Sequence, residues 1–351
     1  MKNGLLSPHI GALKAGPRNA ITDVAGVTVG HTTIADGPVQ TGVTVIRPHS
    51  GDIYRDRVPA AVTVLNGFGK SIGLMQVEEL GVLETPIALT NTFSVGTVAQ
   101  AQIRQCVTAN PQCGRRLPTV NPLVFECNDG YLNDIQAMAV TEEHYLKACA
   151  AADPDFAQGA VGAGRGMSSF GVKGGIGSAS RLAPISNRAK YTVGTLVLSN
   201  FGRPSQLTLA GRAVGPMLAE RLASSGEPEK GSIILLIATD APLDARQLRR
   251  LSLRAGAGLA RTGSVFGHGS GDIALAFSTA YTVPQDAGRS MPQIAMPHDA
   301  LLDPLFQAVA DSAEQAIIHA LWHAETVEGR SGHRRRALLD VMADQISSFP
   351  E

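Results

Sequence analysis

One junction constrains this chain more than any other. The polar, Gly/Pro-bearing stretch Ala223-Ser-Ser-Gly-Glu-Pro-Glu-Lys-Gly231 runs directly into Ser232-Ile-Ile-Leu-Leu-Ile-Ala-Thr239. An apolar, β-rich run with no polar alternation reads as a central strand, and the stretch before it as a surface loop. Five more short runs bounded by Gly, Pro, Asn or Asp read the same way: Val43 to Arg47, Ala60 to Leu65, Leu123 to Glu126, Tyr191 to Ser199 and Ile273 to Thr279. Between them lie helical patterns. Leu301 to Leu321 repeats apolar residues with a 3.6-residue rhythm. A second helix is expected to start at Thr239-Asp240-Ala241-Pro242 and continue through Leu243, Leu248, Leu251 and Ala255. A third covers Gly211 to Ala223. Strands alternating with helices over 351 residues predict an α/β or layered α+β body.

Composition narrows the function. Thirty Lys and Arg balance thirty Asp and Glu, which removes the basic excess that general nucleic-acid or anionic-membrane binding needs. Aromatics are 5% of the chain, too few for a stacking platform along single strands. The sequence has no secretory h-region at its start and no apolar stretch long enough to span a bilayer, so a cytoplasmic location is expected. Cys106, Cys113, Cys127 and Cys149 form no C-x-x-C pair; free, mostly buried thiols are the expectation, with no zinc site.

Several constellations have plainer readings. Gly159 to Gly177 is rich in glycine, but no helix pattern opens on it, no acidic residue follows at the ribose distance, and no Gly-Lys-Ser/Thr closes it. Its glycines are expected to permit tight turns and close backbone approach. His319 and His323 share a helix face at i, i+4, with Glu325 outside the H-E-x-x-H position, so a packed or solvated pair is expected rather than a metal site. The run His333-Arg-Arg-Arg336 reads as a solvated face or tail. Gly267-His-Gly-Ser-Gly271 is the nearest approach to a nucleophile elbow; a hydrolase triad built on it would recruit Asp272, Asp299 and His323.

A more coherent reading combines Gly231-Ser232, Asn200-Phe-Gly202 and Gly269-Ser270-Gly271-Asp272. Around these stand Ala25-Gly-Val-Thr-Val-Gly-His31, Asn66-Gly-Phe-Gly-Lys70, Leu83-Glu-Thr-Pro-Ile87, Thr90-Asn-Thr-Phe-Ser-Val-Gly96 and Glu126-Cys-Asn-Asp-Gly-Tyr-Leu-Asn-Asp134. Further along come Gly159-Ala-Val-Gly-Ala-Gly164, Gly174-Gly-Ile-Gly177, Tyr191-Thr-Val-Gly194, Ala238-Thr-Asp-Ala-Pro-Leu243 and Ala260-Arg-Thr-Gly263. From about Gly16 to about His333 the chain thus resembles the L-aminopeptidase/D-amidase-D-esterase and β-peptidyl aminopeptidase family.

The resemblance implies an αββα sandwich and a precursor that cuts itself at Gly231–Ser232, dividing the chain into residues 1–231 and 232–351. Ser232 would become the N-terminal nucleophile, its α-amine serving as base near neutral pH. Asn200 matches the family's oxyanion-stabilising asparagine, and Ser270 and Asp272 would lie beside the nucleophile. Two positions depart from the family pattern: Asp272 stands where relatives carry glutamate, and Asn128, expected to bind substrate through a side-chain hydrogen bond, where some carry an active-site tyrosine. Glu126 is the expected partner for a substrate's free ammonium, its plainer alternative being a structural salt bridge. Asp129, Asn133 and Asp134 are expected to serve turns or caps. No cofactor or metal is implied. The implied substrates are short peptides, amino-acid amides or esters with a free amine, β-peptides among them, and the implied assembly is a homotetramer of processed protomers. The competing readings are a self-cleaving acyltransferase of the ornithine acetyltransferase type, which cuts before threonine, and an unprocessed, non-catalytic homologue.

Overall fold

The computed structural model describes residues 7–186, 189–223 and 231–346. Residues 224–230, most of the polar loop ahead of Ser232, lie outside the described residues. Two sheets form the centre. The smaller runs Thr28–Asp36, Val39–Arg47, Ile87–Asn91, Leu123–Cys127 in spatial order. The larger runs Val283–Pro284, Asp56–Gly67, Gly271–Ser278, Ser232–Thr239, Ala189–Asn200, Gly175–Ser186. In it Ser232–Thr239 and Gly271–Ser278 are parallel neighbours, and every other pairing along the path is antiparallel. A parallel pair needs a crossover, and the helix Ala245–Arg261 supplies it.

The alternation of side chains along each strand explains the layering. Ile233, Leu235 and Ile237 pack with Leu248, Leu251, Leu259, Leu305 and Val309 of the helices Ala245–Arg261 and Asp303–Trp322. Their alternates Ile234, Leu236 and Ala238 pack with Ile46, Leu89 and Phe125 of the smaller sheet. That sheet's other face, with Val43, Val45, Ala88 and Val124, is covered by Val98 and Ala101 of Val95–Ala109 and Tyr145 and Ala148 of Glu142–Ala150. Three apolar clusters therefore separate four layers, helix–sheet–sheet–helix, the αββα order expected. All eight residues of Ser232–Thr239 are buried because both of its faces meet other layers.

Helix boundaries depart from expectation where polar side chains serve other partners. Ala245–Arg261 starts six residues beyond Thr239, capped by Asp244, whose side chain accepts from Gln247 N at 2.7 Å. Thr239 instead ends the strand, its hydroxyl donating to Thr192 O at 2.8 Å, and Asp240 accepts from Thr192 N at 2.7 Å. Gly211 to Ala223 holds only a short helix, Gly215–Arg221; Ala210 and Gly211, both at positive φ, form the turn between Thr208–Leu209 and Arg212–Ala213.

The glycine-rich stretch does permit close approach. A Cβ on Gly177 would lie 1.9 Å from Ala316 O, so glycine lets the helix Asp303–Trp322 press onto the edge strand. His319, on that helix, is a satisfied core histidine. Its Nδ1 donates to Ser178 O at 2.6 Å, and its Nε2 lies 2.8 Å from Ser7 Oγ. Burial lowers its pKa to about 4.

Candidate active site

The site forms where three strand ends meet. Register pairs Ser232, the first residue of its strand, with Asn200, the last of Ala189–Asn200, and with Gly271, the first of Gly271–Ser278. Three chemically distinct segments, distant in sequence, thereby converge on one point. Ser232 is 7% exposed, and its Oγ accepts a hydrogen bond from Gly271 N at 3.1 Å. Gly231 has no room for a side chain: a Cβ there would lie 2.2 Å from Asn200 O and 2.7 Å from Phe201 Cα.

Asn200 is held at both ends of its amide. Oδ1 accepts from Ser168 N at 2.8 Å, and Nδ2 donates to Asn128 O at 3.0 Å. These bonds fix which end is nitrogen and leave Nδ2 a second N–H. Asn128 serves through its backbone; its exposed side chain closes a turn, Oδ1 accepting from Gly130 N at 2.9 Å. On the other side of Ser232, Ser270 Oγ donates to Asp272 Oδ1 at 2.5 Å, both residues buried.

Glu126 ends up beside this cluster but makes no ion pair among the described residues. Its Oε1 accepts from Lys70 N at 2.8 Å, and its Oε2 accepts from the Thr92 hydroxyl. A methyl group built on Gly69 would lie 3.6 Å from Glu126 Oε1 and 3.9 Å from Gly271 Cα, so one glycine separates the carboxylate from the segment that bonds Ser232. The residue is 3% exposed, and both carboxylate oxygens accept from neutral donors.

Two features around the site are not legible in the sequence. Asn66 Nδ2 donates to Gly267 O at 2.7 Å and Ser270 O at 2.6 Å, clamping the loop that delivers Ser270. Its place in Asn66-Gly-Phe-Gly-Lys70 was the only available signal. The basic run His333–Arg336 is not simply solvated. The His333 ring stacks on Tyr131 at 4.6 Å, the Arg335 guanidinium lies 3.6 Å from the Tyr131 centroid, and Arg335 Nε donates to Ser168 Oγ at 3.3 Å. The run thus braces the turn carrying Asn128.

Asp129 serves a turn as expected, its carbonyl accepting from Leu132 N at 3.1 Å and Asn133 N at 3.0 Å, and its side chain is buried. The carboxylate accepts from Asn133 Nδ2 at 3.0 Å, and burial raises its pKa to about 7. The alternative triad does not assemble. Asp299 bonds Arg246 at 2.7 Å, at the helix start beyond the far end of Ser232–Thr239; eight strand residues span roughly 25 Å. His323 packs edge-on to His319 at 5.4 Å. Among the described residues no cluster of three His, Cys, Asp or Glu is placed to hold a metal, and no helix is long and apolar enough to cross a membrane.

Known proteins resemble this chain along most of its length. The chain is 39% identical over 346 residues to the beta-peptidyl aminopeptidase BapA of Sphingosinicella microcystinivorans, covering 91% of this chain and 85% of that one. It superposes on the PH0078 protein of Pyrococcus horikoshii OT3 with a TM-score of 0.91 at 49% identity, covering 97% of each chain. It also superposes on the L-aminopeptidase D-Ala-esterase/amidase of Ochrobactrum anthropi, described as a variant of the Ntn hydrolase fold, with a TM-score of 0.87 at 34% identity, covering 99% of this chain and 98% of that one. The sequence model of peptidase family S58 matches residues 19–335, and this chain, an aminopeptidase-type hydrolase, belongs to that family.

Proposed function

We propose that the chain is a self-processing serine aminopeptidase that releases N-terminal residues from short peptides, amides or esters with a free amine, β-peptides among them. The observation that carries the reading is the buried Ser232 hydroxyl at the head of a central strand, flanked by Asn200 on one side and Ser270–Asp272 on the other. In the precursor, Ser232 Oγ attacks the Gly231 carbonyl. The N→O acyl shift moves the Gly231 acyl group from the Ser232 nitrogen to its Oγ, breaking the C–N bond and freeing the α-amine. Water then hydrolyses the ester to release the Gly231 carboxylate and restore the hydroxyl.

In the mature enzyme that amine, with a reference pKa of about 7.7–8.0, takes the hydroxyl proton as Oγ attacks the substrate carbonyl. The second N–H of Asn200 Nδ2 stabilises the oxyanion. The Gly271 N–H donating to Oγ orients the nucleophile and offsets the negative charge it develops. Ser270, held by Asp272, returns the proton toward the leaving amine. Water then hydrolyses the acyl-enzyme. Glu126 binds the substrate ammonium, which accounts for a carboxylate kept dry without a cationic partner among the described residues. The β-peptide assignment draws on the likeness to the Sphingosinicella enzyme.

Mass spectrometry and N-terminal sequencing test the reading. Purified protein is expected as two fragments, the smaller beginning Ser-Ile-Ile-Leu-Leu, and Ser232→Ala as one intact, inactive chain. A different start, or a Ser232→Ala protein that still matures, would overturn the nucleophile assignment.

A further inference from the structure

Lys173 lies outside the reacting groups, yet its amino group is fully buried, and burial lowers its pKa well below the usual lysine range. It sits in a hairpin where Val172–Lys173 pairs with Ser168–Ser169 around Phe170 and Gly171, both at positive φ. Its ammonium has three N–H bonds and three acceptors, Gly164 O, Met167 O and Gly174 O, each at 2.8 Å. Burying an ammonium is costly unless every donor is satisfied. Here backbone carbonyls, with no carboxylate, do so. A helix turn or loop could be secured by an apolar side chain at lower cost, so the cation's specific contacts call for an explanation.

The explanation lies in one peptide unit. Met167 O, which accepts from Lys173, and Ser168 N–H, which donates to Asn200 Oδ1 at 2.8 Å, are opposite ends of the same planar amide. The Lys173 N–H donated to the carbonyl end fixes the plane's rotation and polarises its N–H toward Asn200. Gly174 N adds a second bond to the same carbonyl at 3.0 Å. Asn128 O holds the other end of the Asn200 amide, so the direction of its remaining N–H depends on both anchors. We infer that Lys173 is a positioning residue that sets the orientation of the Asn200 amide through the Met167–Ser168 peptide. The inference rests on Asn200 acting as the oxyanion donor.

The test is a double-mutant cycle on processed protein, reading kcat and KM with an aminoacyl p-nitroanilide. Asn200→Ala alone is expected to lower kcat about 10²- to 10³-fold. Lys173→Met is expected to lower it roughly 10- to 100-fold with KM within about twofold, as displacements near 1 Å at a reacting centre do. Lys173→Gln, with two donors left, should fall between, and serves the same comparison if Lys173→Met does not accumulate as folded protein. Added to Asn200→Ala, either lysine substitution should lower kcat by no more than about threefold. If Lys173→Met and Lys173→Gln keep wild-type kcat, or multiply undiminished with Asn200→Ala, Lys173 does not act through Asn200 and the inference is refuted. If Asn200→Ala itself keeps wild-type kcat, the oxyanion assignment fails first, and this inference with it.

Discussion

Gly231→Ala tests the geometry of the proposed scissile bond more sharply than removal of the nucleophile does. The alanine Cβ would be placed 2.2 Å from Asn200 O and 2.7 Å from Phe201 Cα, both backbone atoms that no rotamer change can move. To reach even 3.0 Å the chain must retreat by roughly 0.8 Å, and the Ser232–Asn200 pair sits at the point of retreat. A displacement near 1 Å can cost a reacting geometry about 10²-fold, so self-cleavage should slow by roughly 10- to 100-fold. The substitution lies on the carbonyl side of the cut. Once cleavage occurs, the small fragment is wild type in sequence and should turn over substrate with near wild-type kcat per nucleophile. The assay follows precursor and fragments by denaturing gel after refolding or pulse expression, then titrates active sites in the processed fraction. A Gly231→Ala precursor maturing at the wild-type rate would refute the argument that the tight passage between Asn200 and Phe201 fixes the attack geometry. A processed fraction with low kcat would instead show that Gly231 still occupies the mature site.

Further expected outcomes follow from two buried groups. Free-amine substrates should be hydrolysed orders of magnitude faster than their N-acetylated analogues, because acylation leaves Glu126 without its cation; Glu126→Gln should mature yet lose most of that discrimination through a raised KM. Equal rates on acetylated and free substrates would overturn the aminopeptidase reading. His319, neutral in the fold with a pKa of about 4 against an ordinary 6.5, binds its proton more readily when unfolded. The stability this supplies is complete above about pH 6.5 and lost as pH falls through about 4, amounting to about 3 kcal/mol. Urea midpoints of the uncut Ser232→Ala protein should therefore fall more steeply over that window than those of a Ser232→Ala/His319→Gln protein; parallel curves would show that His319 does not contribute.

The sequence made the central strands legible because both of their faces are buried, leaving Ser232–Thr239 an unbroken apolar run. Gly175–Ser186 escaped because its helix-facing positions include Gly177, Ala179, Arg181 and Ala183 while Ser178 and Ser180 on the other face accept from backbone N–H groups, which erases the β-branched signature. Thr28–Asp36 lies at the smaller sheet's edge and is half polar, so alternation there is weak. Composition and periodicity made none of the reacting residues conspicuous: Ser232, Asn200 and Ser270 are ordinary loop and strand-end residues until register aligns them. The family resemblance singled them out in advance, and the strand register brings Ser232 level with Asn200 and Gly271. The Asn66 clamp and the Lys173 carbonyl cage were invisible because their partners are backbone atoms, which carry no residue identity.

The order of strands in the larger sheet has a consequence for synthesis. Asp56–Gly67 on one side and Ala189–Asn200 with Gly175–Ser186 on the other leave the ribosome well before the two strands that join them. A nascent chain ending before Gly271 therefore has a sheet with a gap, and the Ser232 hydroxyl has no Gly271 N–H beside it. The hydroxyl reaches its final setting only when translation is about three-quarters complete. The fold thus contains its own clock: the proposed cleavage before Ser232 meets its full surroundings only in a chain of which at least about three-quarters has been made.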